Sequence, residues 1–320
     1  MRNILITGGL GYLGGRIATY LQEVEPESNI TLTARNKNKK LPEWAATFQI
    51  LEMSLLDDES IANCLKNQSF DVIIHLAALN EIESMENPER ASQINTLGVY
   101  KLLKAAVENN ISNFIYISTF HVYGKTSLTE ITEKTPTFPF HPYATSHRAA
   151  EDFVSFFSHY HGLKSTVFRL SNGYGAPMDT EVNRWTLLLN DICRQAVTKG
   201  EITLRSSGKQ SRDFISLHDV SRAVHHAVEL LCNNKKEIEG VFNLGGNCNM
   251  SILDVTKKVA ELYQKKYAKS VKINVPNDDS GLPETKSADF NVSKLAATGF
   301  TLKGEMAVEI EKTFELCEKF

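Results

Sequence analysis

Gly8, Gly11 and Gly14 recur at every third residue of Thr7-Gly8-Gly9-Leu10-Gly11-Tyr12-Leu13-Gly14, between the apolar run Ile4-Leu5-Ile6 and the helical pattern that begins at Gly15-Arg16-Ile17. In that setting glycine permits a tight turn, close approach of a pyrophosphate to bare backbone, and close packing of the helix that follows. The chemistry is capture of a nicotinamide dinucleotide; the same triplet without a strand before it and a helix after it would mark only a turn. The second strand ends Thr31-Leu32-Thr33-Ala34-Arg35-Asn36, without the carboxylate that accepts ribose hydroxyls at an NAD site. Arg35, with Lys37 or Lys39 nearby, can instead neutralise a 2′-phosphate through forked donors, which favours NADP(H) over NAD. The competing reading of these basic residues is a solvated loop.

Such residues need a scaffold that brings strand ends together. Short apolar runs at residues 3–7, 30–34, 71–76, 114–118 and 165–170 read as strands separated by helical patterns. Continuous apolar runs belong to parallel strands covered by helices on both faces. The expected fold class is therefore α/β, a Rossmann-like doubly wound parallel sheet with a smaller discontinuous C-terminal substrate lobe. Helices are expected over 14–23, 60–66, 88–109 and 145–160, the last opening after the proline-rich loop 136–142. Beyond residue 171 the alternation becomes irregular, with loops around 173–180 and 274–283 and helical patterns at 183–199, 219–232 and 252–267. The expected division is a dinucleotide-binding domain over 1–170, to which 207–235 returns, and a substrate lobe over 171–206 and 236–320. No internal repeat or heptad array is present.

Composition narrows the classes. The chain has 320 residues, 42% of them hydrophobic, enough for a sizeable core without an external staple. Cys64, Cys193, Cys232, Cys248 and Cys317 lie far apart with no CxxC pair or metal-ligand spacing, so they read as buried reduced thiols of a cytoplasmic protein that needs no metal. A net charge of -3 argues against a nucleic-acid binder, and no apolar run reaches the roughly 18 residues of a membrane span. Met1-Arg2-Asn3 leads directly into Ile4-Leu5-Ile6, leaving no room for a secretion signal.

Further motifs follow in order: His75-Leu76-Ala77-Ala78, Ser118-Thr119-Phe120-His121-Val122-Tyr123-Gly124, Pro142-Tyr143-Ala144-Thr145-Ser146-His147, Arg169-Leu170-Ser171-Asn172-Gly173-Tyr174-Gly175, and Arg212-Asp213-Phe214-Ile215. With the glycine loop, they make the chain resemble the extended short-chain dehydrogenase/reductase family over nearly its whole length, specifically its nucleotide-sugar epimerase, dehydratase and reductase branch. The resemblance implies Tyr143 as proton donor or acceptor at the reacting sugar carbon, Thr119 on the same oxygen and Ser118 beside it. Independently, hydride transfer to a carbonyl leaves an alkoxide, which needs a positioned acid and a second donor. The resemblance further implies cofactor contacts from Tyr12, Leu13, Asn36, Ser54 and Leu55, and from Leu76, Ala77, Ala78 and Asn95.

The chain departs from the family pattern twice. His147 stands where the family carries lysine, four residues after Tyr143 and so on the same helical face. The usual lysine holds the nicotinamide ribose and lowers the tyrosine pKa by its fixed charge. Histidine, with an ordinary pKa near about 6.5, supplies the hydrogen bond without the charge and leaves Tyr143 an acid, which tilts the reading toward reduction. The bland alternative is a catalytically weakened relative. Phe120 and His121 occupy positions where sugar 4,6-dehydratases of the family carry Asp and Glu. Phe120 cannot transfer a proton, which disfavours dehydration; His121 remains a candidate base or a pocket-lining residue.

On the substrate side the resemblance assigns Asn172 and Arg212 to the diphosphate of a nucleotide sugar, against a surface Arg212-Asp213 ion pair as the competing reading. Trp185 reads as a core residue rather than a base-stacking one. Relatives pair the helices at 92–109 and 145–160 in a four-helix dimer interface, so a homodimer is expected. The functional expectation is an NADP(H)-dependent reductase of a nucleotide-activated keto sugar. The alternatives are an epimerase with retained NAD and a redox-silent dinucleotide-binding protein.

Overall fold

The structure is a computed structural model and describes residues 1–36, 40–276 and 288–320; Lys37, Lys39 and the part of the 274–283 loop beyond residue 276 lie outside the described residues. Its centre is one parallel sheet of seven strands: β1 (Asn3–Thr7), β2 (Asn29–Ala34), β3 (Gln49–Glu52), β4 (Val72–His75), β5 (Asn113–Thr119), β6 (Lys164–Leu170) and β7 (Gly240–Leu244). The order across the sheet is β7-β6-β5-β4-β1-β2-β3. The chain thus winds outward in both directions from β1 and β4, and a crevice opens at their carboxyl ends.

Alternation along each strand decides which layer a side chain joins. Ile4, Ile6, Val72 and Ile74 pack with α1 (Tyr12–Val24) and the helix Leu217–Cys232 on one face. Leu5 and Ile73 pack with α2 (Asp58–Leu65), α3 (Gly98–Glu108) and α4 (Pro142–His161) on the other. Each fully buried aliphatic side chain contributes about 1.5–3 kcal/mol. Helix α4 starts on Pro142, with Nδ1 of His141 accepting from the Ala144 N–H at 3.2 Å, and ends at Gly162 in the left-handed conformation.

The smaller lobe packs the helices Leu188–Lys199, Ile252–Tyr267 and Met306–Cys317 around Ile192, Val255 and Phe314. Its three-stranded sheet places Ser211–Ser216 between Asn172–Tyr174 and Asn249–Ser251.

Four details differ from the sequence expectation. Gly240–Leu244, expected in the lobe, is the outer strand of the large sheet, because Phe242 and Leu244 are fully buried beside β6. Ser211–Ser216, expected to return to the dinucleotide-binding domain, pairs in the lobe instead. The helix expected at 183–199 begins only at Leu188, since the preceding residues form turns closed by Arg184 N–H to Val182 O and by the Trp185 indole to Thr180 O. The helix expected at 88–109 is interrupted by a π-helical stretch, Ser92–Leu97, that turns Asn95 inward. All five thiols are free; Cys64, Cys193 and Cys317 are buried, whereas Cys232 and Cys248 are only half-buried. Among the described residues no helix is long and apolar enough to cross a membrane.

Candidate active site

The glycine loop lies at the crevice between β1 and β4. Gly8 has φ +66°, and a Cβ there would stand 2.9 Å from the Ala77 backbone nitrogen. The Gly11 N–H donates to Gly8 O at 2.9 Å, and a Cβ on Gly14 would stand 2.4 Å from that same oxygen. The loop therefore closes only with glycine at 8 and 14, and α1 begins with no side-chain cap and no acidic residue in its first turn. Such a helix end presents free N–H groups to an anion, so the cradle fits a dinucleotide pyrophosphate. Thr7 braces the crevice from behind: its Oγ1 accepts from Leu76 N–H at 3.1 Å and Ala77 N–H at 3.3 Å and lies 2.7 Å from Nδ1 of His75.

The other expected cofactor residues divide by environment. Arg35 and Asn36 are exposed where β2 ends, Ser54 is half-buried just after β3, and Ala78 is exposed beyond β4. Leu13 is half-buried beside Gly14, and Leu55 is buried against Gly98. Tyr12 turns toward the lobe, where its hydroxyl donates to Gly175 O at 3.0 Å and accepts from Asn190 Nδ2 at 3.2 Å. Asn95 is buried as a tether: Oδ1 accepts from Leu79 N–H at 2.7 Å, and Nδ2 donates to Leu79 O and to Ser146 Oγ, each at 3.2 Å. It holds the loop after β4 against the turn of α4 that carries His147.

Tyr143, His147, Tyr116 and His75 stand in a column of rings, with centroid separations of 4.4, 5.8 and 5.9 Å along it. Burial pushes the Tyr143 hydroxyl up to about 12; Glu81 adds to the rise, while Arg184 and a hydrogen bond with Thr119 oppose it. His147 is 3% exposed, and burial holds it down at about 3. Tyr116, whose own pKa burial raises well above normal, keeps its proton and donates it to Nδ1 of His147 at 2.6 Å. That leaves the imidazole neutral with its proton on Nε2, a buried donor without a protein partner. An uncharged donor directed at a ribose hydroxyl fits this orphaned atom. Thr119 is 4% exposed at the end of β5, hydrogen-bonds the Tyr143 side chain, and accepts from the His121 N–H at 3.2 Å.

Ser118, one residue earlier, faces the opposite side of β5. Its hydroxyl donates to Glu151 Oε1 at 2.6 Å, inside a buried pair in which Arg169 donates to Glu151 at 2.7 Å. Its surroundings are those of a structural residue rather than of a partner to Tyr143.

The half-buried rim of the site carries a group that the sequence motifs do not reveal. Glu81 Oε1 lies 2.6 Å from Nε2 of His121, whose ring stands 5.3 Å from that of His141 and 6.4 Å from that of Tyr143. His141 stacks on Tyr143 at 6.1 Å. Arg184, from the lobe, bears electrostatically on both Tyr143 and Glu81. Glu81 opens a short helix capped by Asn80, and the packing of that helix against α4 brings it to His121. No sequence spacing links residues 81, 121, 141 and 184.

On the substrate side, Asn172 donates to Asp213 O at 2.9 Å and Arg212 is exposed on the neighbouring strand. Asp213 is occupied by Ser171 Oγ at 2.6 Å and by the N–H groups of Gly246 and Cys248 at 2.9 Å, rather than by Arg212. Trp185 is buried against Phe320, a core position.

Residues 4–245 match the model of the NAD dependent epimerase/dehydratase family. The chain belongs to that family. Among curated members it is 27% identical over 282 residues to the dTDP-glucose 4,6-dehydratase of Haemophilus influenzae, covering 83% of this chain and 80% of the relative. It is 27% identical over 274 residues to the UDP-glucose 4-epimerase of Lactobacillus helveticus, covering 80% and 81%. Its fold is that of the Thermotoga maritima UDP-glucose 4-epimerase with UDP-glucose, at TM-score 0.80 and 24% identity over 99% of both chains. The Pseudomonas aeruginosa RMD complexed with NADPH matches equally well, at TM-score 0.79 and 22% identity over 100% of this chain and 99% of that one.

This member of the epimerase/dehydratase family is thus an NAD(P)-dependent enzyme of the extended short-chain dehydrogenase/reductase type. Its site places a neutral, buried histidine beneath the tyrosine, with Phe120 and the Glu81-paired His121 on the rim.

Proposed function

We propose that the protein reduces a nucleotide-activated keto sugar of the 4-keto-6-deoxyhexose type with NADP(H), in surface-polysaccharide or deoxysugar biosynthesis. The observation that carries this reading is the pairing of Tyr143, raised to about 12, with His147, held neutral at about 3. A tyrosine in that setting holds its proton at neutral pH and suits donation to a forming alkoxide; accepting a proton from an alcohol is handicapped. Thr119 supplies the second donor to the same oxygen, and Nε2 of His147 positions the nicotinamide ribose. When bound, the dinucleotide supplies the hydride. Arg35, exposed at the end of β2, supports the 2′-phosphorylated cofactor, and Asn172 with Arg212 would bind the sugar diphosphate.

A 4-epimerase with retained NAD is the second reading, supported by the likeness to UDP-glucose 4-epimerase. It requires Tyr143 to act alternately as acid and base, which the raised pKa opposes. We infer a cytoplasmic homodimer that joins through α3 and α4, where Tyr100, Phe156 and Tyr160 are exposed on one surface.

The test is a comparison of NADPH and NADH binding followed by an NADPH-oxidation screen with 4-keto-6-deoxy sugars on several nucleotides. Oxidation with one of them and tighter NADPH binding is the expected result. Tightly retained NAD with interconversion of sugar epimers and no net NADPH consumption would replace this reading by the epimerase. Dinucleotide binding with no turnover, and full biological activity in Tyr143→Phe, would make it a redox-silent binding protein.

A further inference from the structure

Tyr12, Gly15, Arg16 and Thr19 form one stripe along α1, the helix whose first turn fits a dinucleotide pyrophosphate. The chain that leaves the strand Asn172–Tyr174 lies along this stripe position by position. The Tyr12 hydroxyl donates to Gly175 O at 3.0 Å, Arg16 Nη1 donates to Ala176 O at 2.9 Å, and Thr19 Oγ1 donates to Sδ of Met178 at 3.9 Å. Gly15 leaves the space for Met178, because a Cβ there would stand 2.7 Å from Met178 Cγ. We propose that residues 175–187 form a strap that couples the two ligand sites, so that a dinucleotide seated at α1 tightens the binding of the nucleoside diphosphate at Asn172 and Arg212, with Arg16 and Glu309 as the positioning residues that hold the strap. This inference rests on the nucleotide-sugar reading and is independent of whether the sugar is reduced or epimerised.

Glu309 fixes where the strap lies. It is buried on the helix Met306–Cys317 and takes Arg16 through two bonds, Nη2 to Oε1 at 2.6 Å and Nη1 to Oε2 at 3.0 Å. Nη1 is shared between Glu309 and Ala176 O, so one guanidinium joins α1, the strap and the last helix of the lobe. Gly175 has φ +137°, and a Cβ there would stand 2.3 Å from Glu309 Oε2, so only glycine lets the strap pass the carboxylate. A buried ion pair adds little net stability over apolar side chains of the same volume; forked bonds instead restrict the three segments to one relative placement.

The far end of the strap reaches the chemistry. Between Tyr174 and Leu188 it has no helix or strand of its own, and Asn190 pins it at both ends. Fully buried Asn190 accepts from the Gly175 N–H at 3.4 Å and donates to Arg184 O at 3.4 Å and to the Tyr12 hydroxyl at 3.2 Å. Tyr12 lies inside the glycine loop itself, and Arg184 bears electrostatically on Tyr143 and Glu81. A dinucleotide that holds the loop therefore also holds Gly175, Asn190 and the turn carrying Arg184. The second ligand meets a strap already placed, and linkage makes the effect reciprocal.

The experiment titrates dTDP, UDP and GDP into the full chain by calorimetry, with and without a saturating dinucleotide, NADPH and NADH in parallel, and then reverses the order of addition. Wild type is expected to bind one nucleoside diphosphate about tenfold more tightly with the dinucleotide present, and the dinucleotide more tightly by the same factor in return. Arg16→Met combined with Glu309→Met removes both charges together and leaves no buried ion unpaired. In that double variant the factor should fall below about twofold, while each ligand alone binds within about twofold of wild type. Met178→Ala, which removes a strap contact and spares the ion pair, should lower the factor as well; it decides alone if melting curves show the double variant unfolded. Coupling that survives in the folded variants would overturn the strap as its route. Wild-type affinities that ignore the other ligand would overturn this inference and leave the nucleotide-sugar reading standing. Weaker binding of each ligand alone, with the factor unchanged, would reduce the ion pair to a structural clamp. No binding of any nucleoside diphosphate would remove both the inference and the reading beneath it.

Discussion

The hydroxyl of Tyr116 lies 2.6 Å from Nδ1 of His147. This single contact sets the tautomer of His147, and its removal has a definite consequence. In Tyr116→Phe the Nδ1 atom becomes a second unpartnered buried group, and the proton on Nε2 is no longer enforced. Dinucleotide affinity should fall about tenfold, matching the roughly 1–3 kcal/mol cost of an unmade buried hydrogen bond. Calorimetric titration with NADPH measures it; unchanged affinity would separate His147 from cofactor binding.

His147→Lys restores the positive charge beside Tyr143 but asks a buried site to hold an ammonium. The charge should lower the tyrosine pKa, so that oxidation of the alcohol product becomes faster at pH 7 and its pH profile moves down by about one unit or more. The melting temperature should drop at the same time, from desolvation of the lysine. Rate profiles in both directions, with a melting curve, decide the matter.

His75 and His147 are each held at about 3 in the folded protein against about 6.5 unfolded. Between those values the unfolded chain binds more protons, so stability is complete above pH 6.5 and is lost as pH falls toward 3. Urea unfolding near pH 5 should be accompanied by uptake of about two protons, one at each histidine. The less depressed His141, His218 and His226 act in the same direction. A stability that stays flat from pH 7 to pH 4 would contradict the burial of these rings in neutral form.

Ser118→Ala removes the hydroxyl that bonds Glu151 within the Glu151–Arg169 pair. The expected effect is a loss of about 1–3 kcal/mol of stability, read from denaturant unfolding, with little change in kcat. A loss of kcat at unaltered stability would return Ser118 to the catalytic set.

Arg35→Ser should weaken NADPH binding by about tenfold while changing NADH binding little, because only the phosphorylated ribose uses a forked donor there. Equal weakening of both, or of neither, would leave Arg35 as the solvated loop residue that its exposure also allows.

Neither Gln49–Glu52 nor Gly240–Leu244 was among the apolar runs, but the order of those runs and the glycine spacing were enough to specify five strands of the parallel sheet and the turn after β1. Each depends on local periodicity or on a backbone position that only glycine can occupy, as the Gly14 contact with Gly8 O illustrates. Tyr143 and His147 share a face because a helix repeats every 3.6 residues. Other features depend on which distant segments meet. Gly240–Leu244 becomes a sheet edge only by pairing with β6, and Ser118 meets Glu151 of α4 because pleating points it to the face opposite Thr119. Asn95 is drawn inward by a π turn that no propensity announces. The protonation states are tertiary as well: His147 is neutral because the fold excludes water around it and supplies Tyr116, and Glu81 meets His121 across forty residues of chain. Residue types and spacings determined the motif-borne groups, while burial and long-range contact brought Tyr116, Glu81 and His141 to them and decided which groups hold protons.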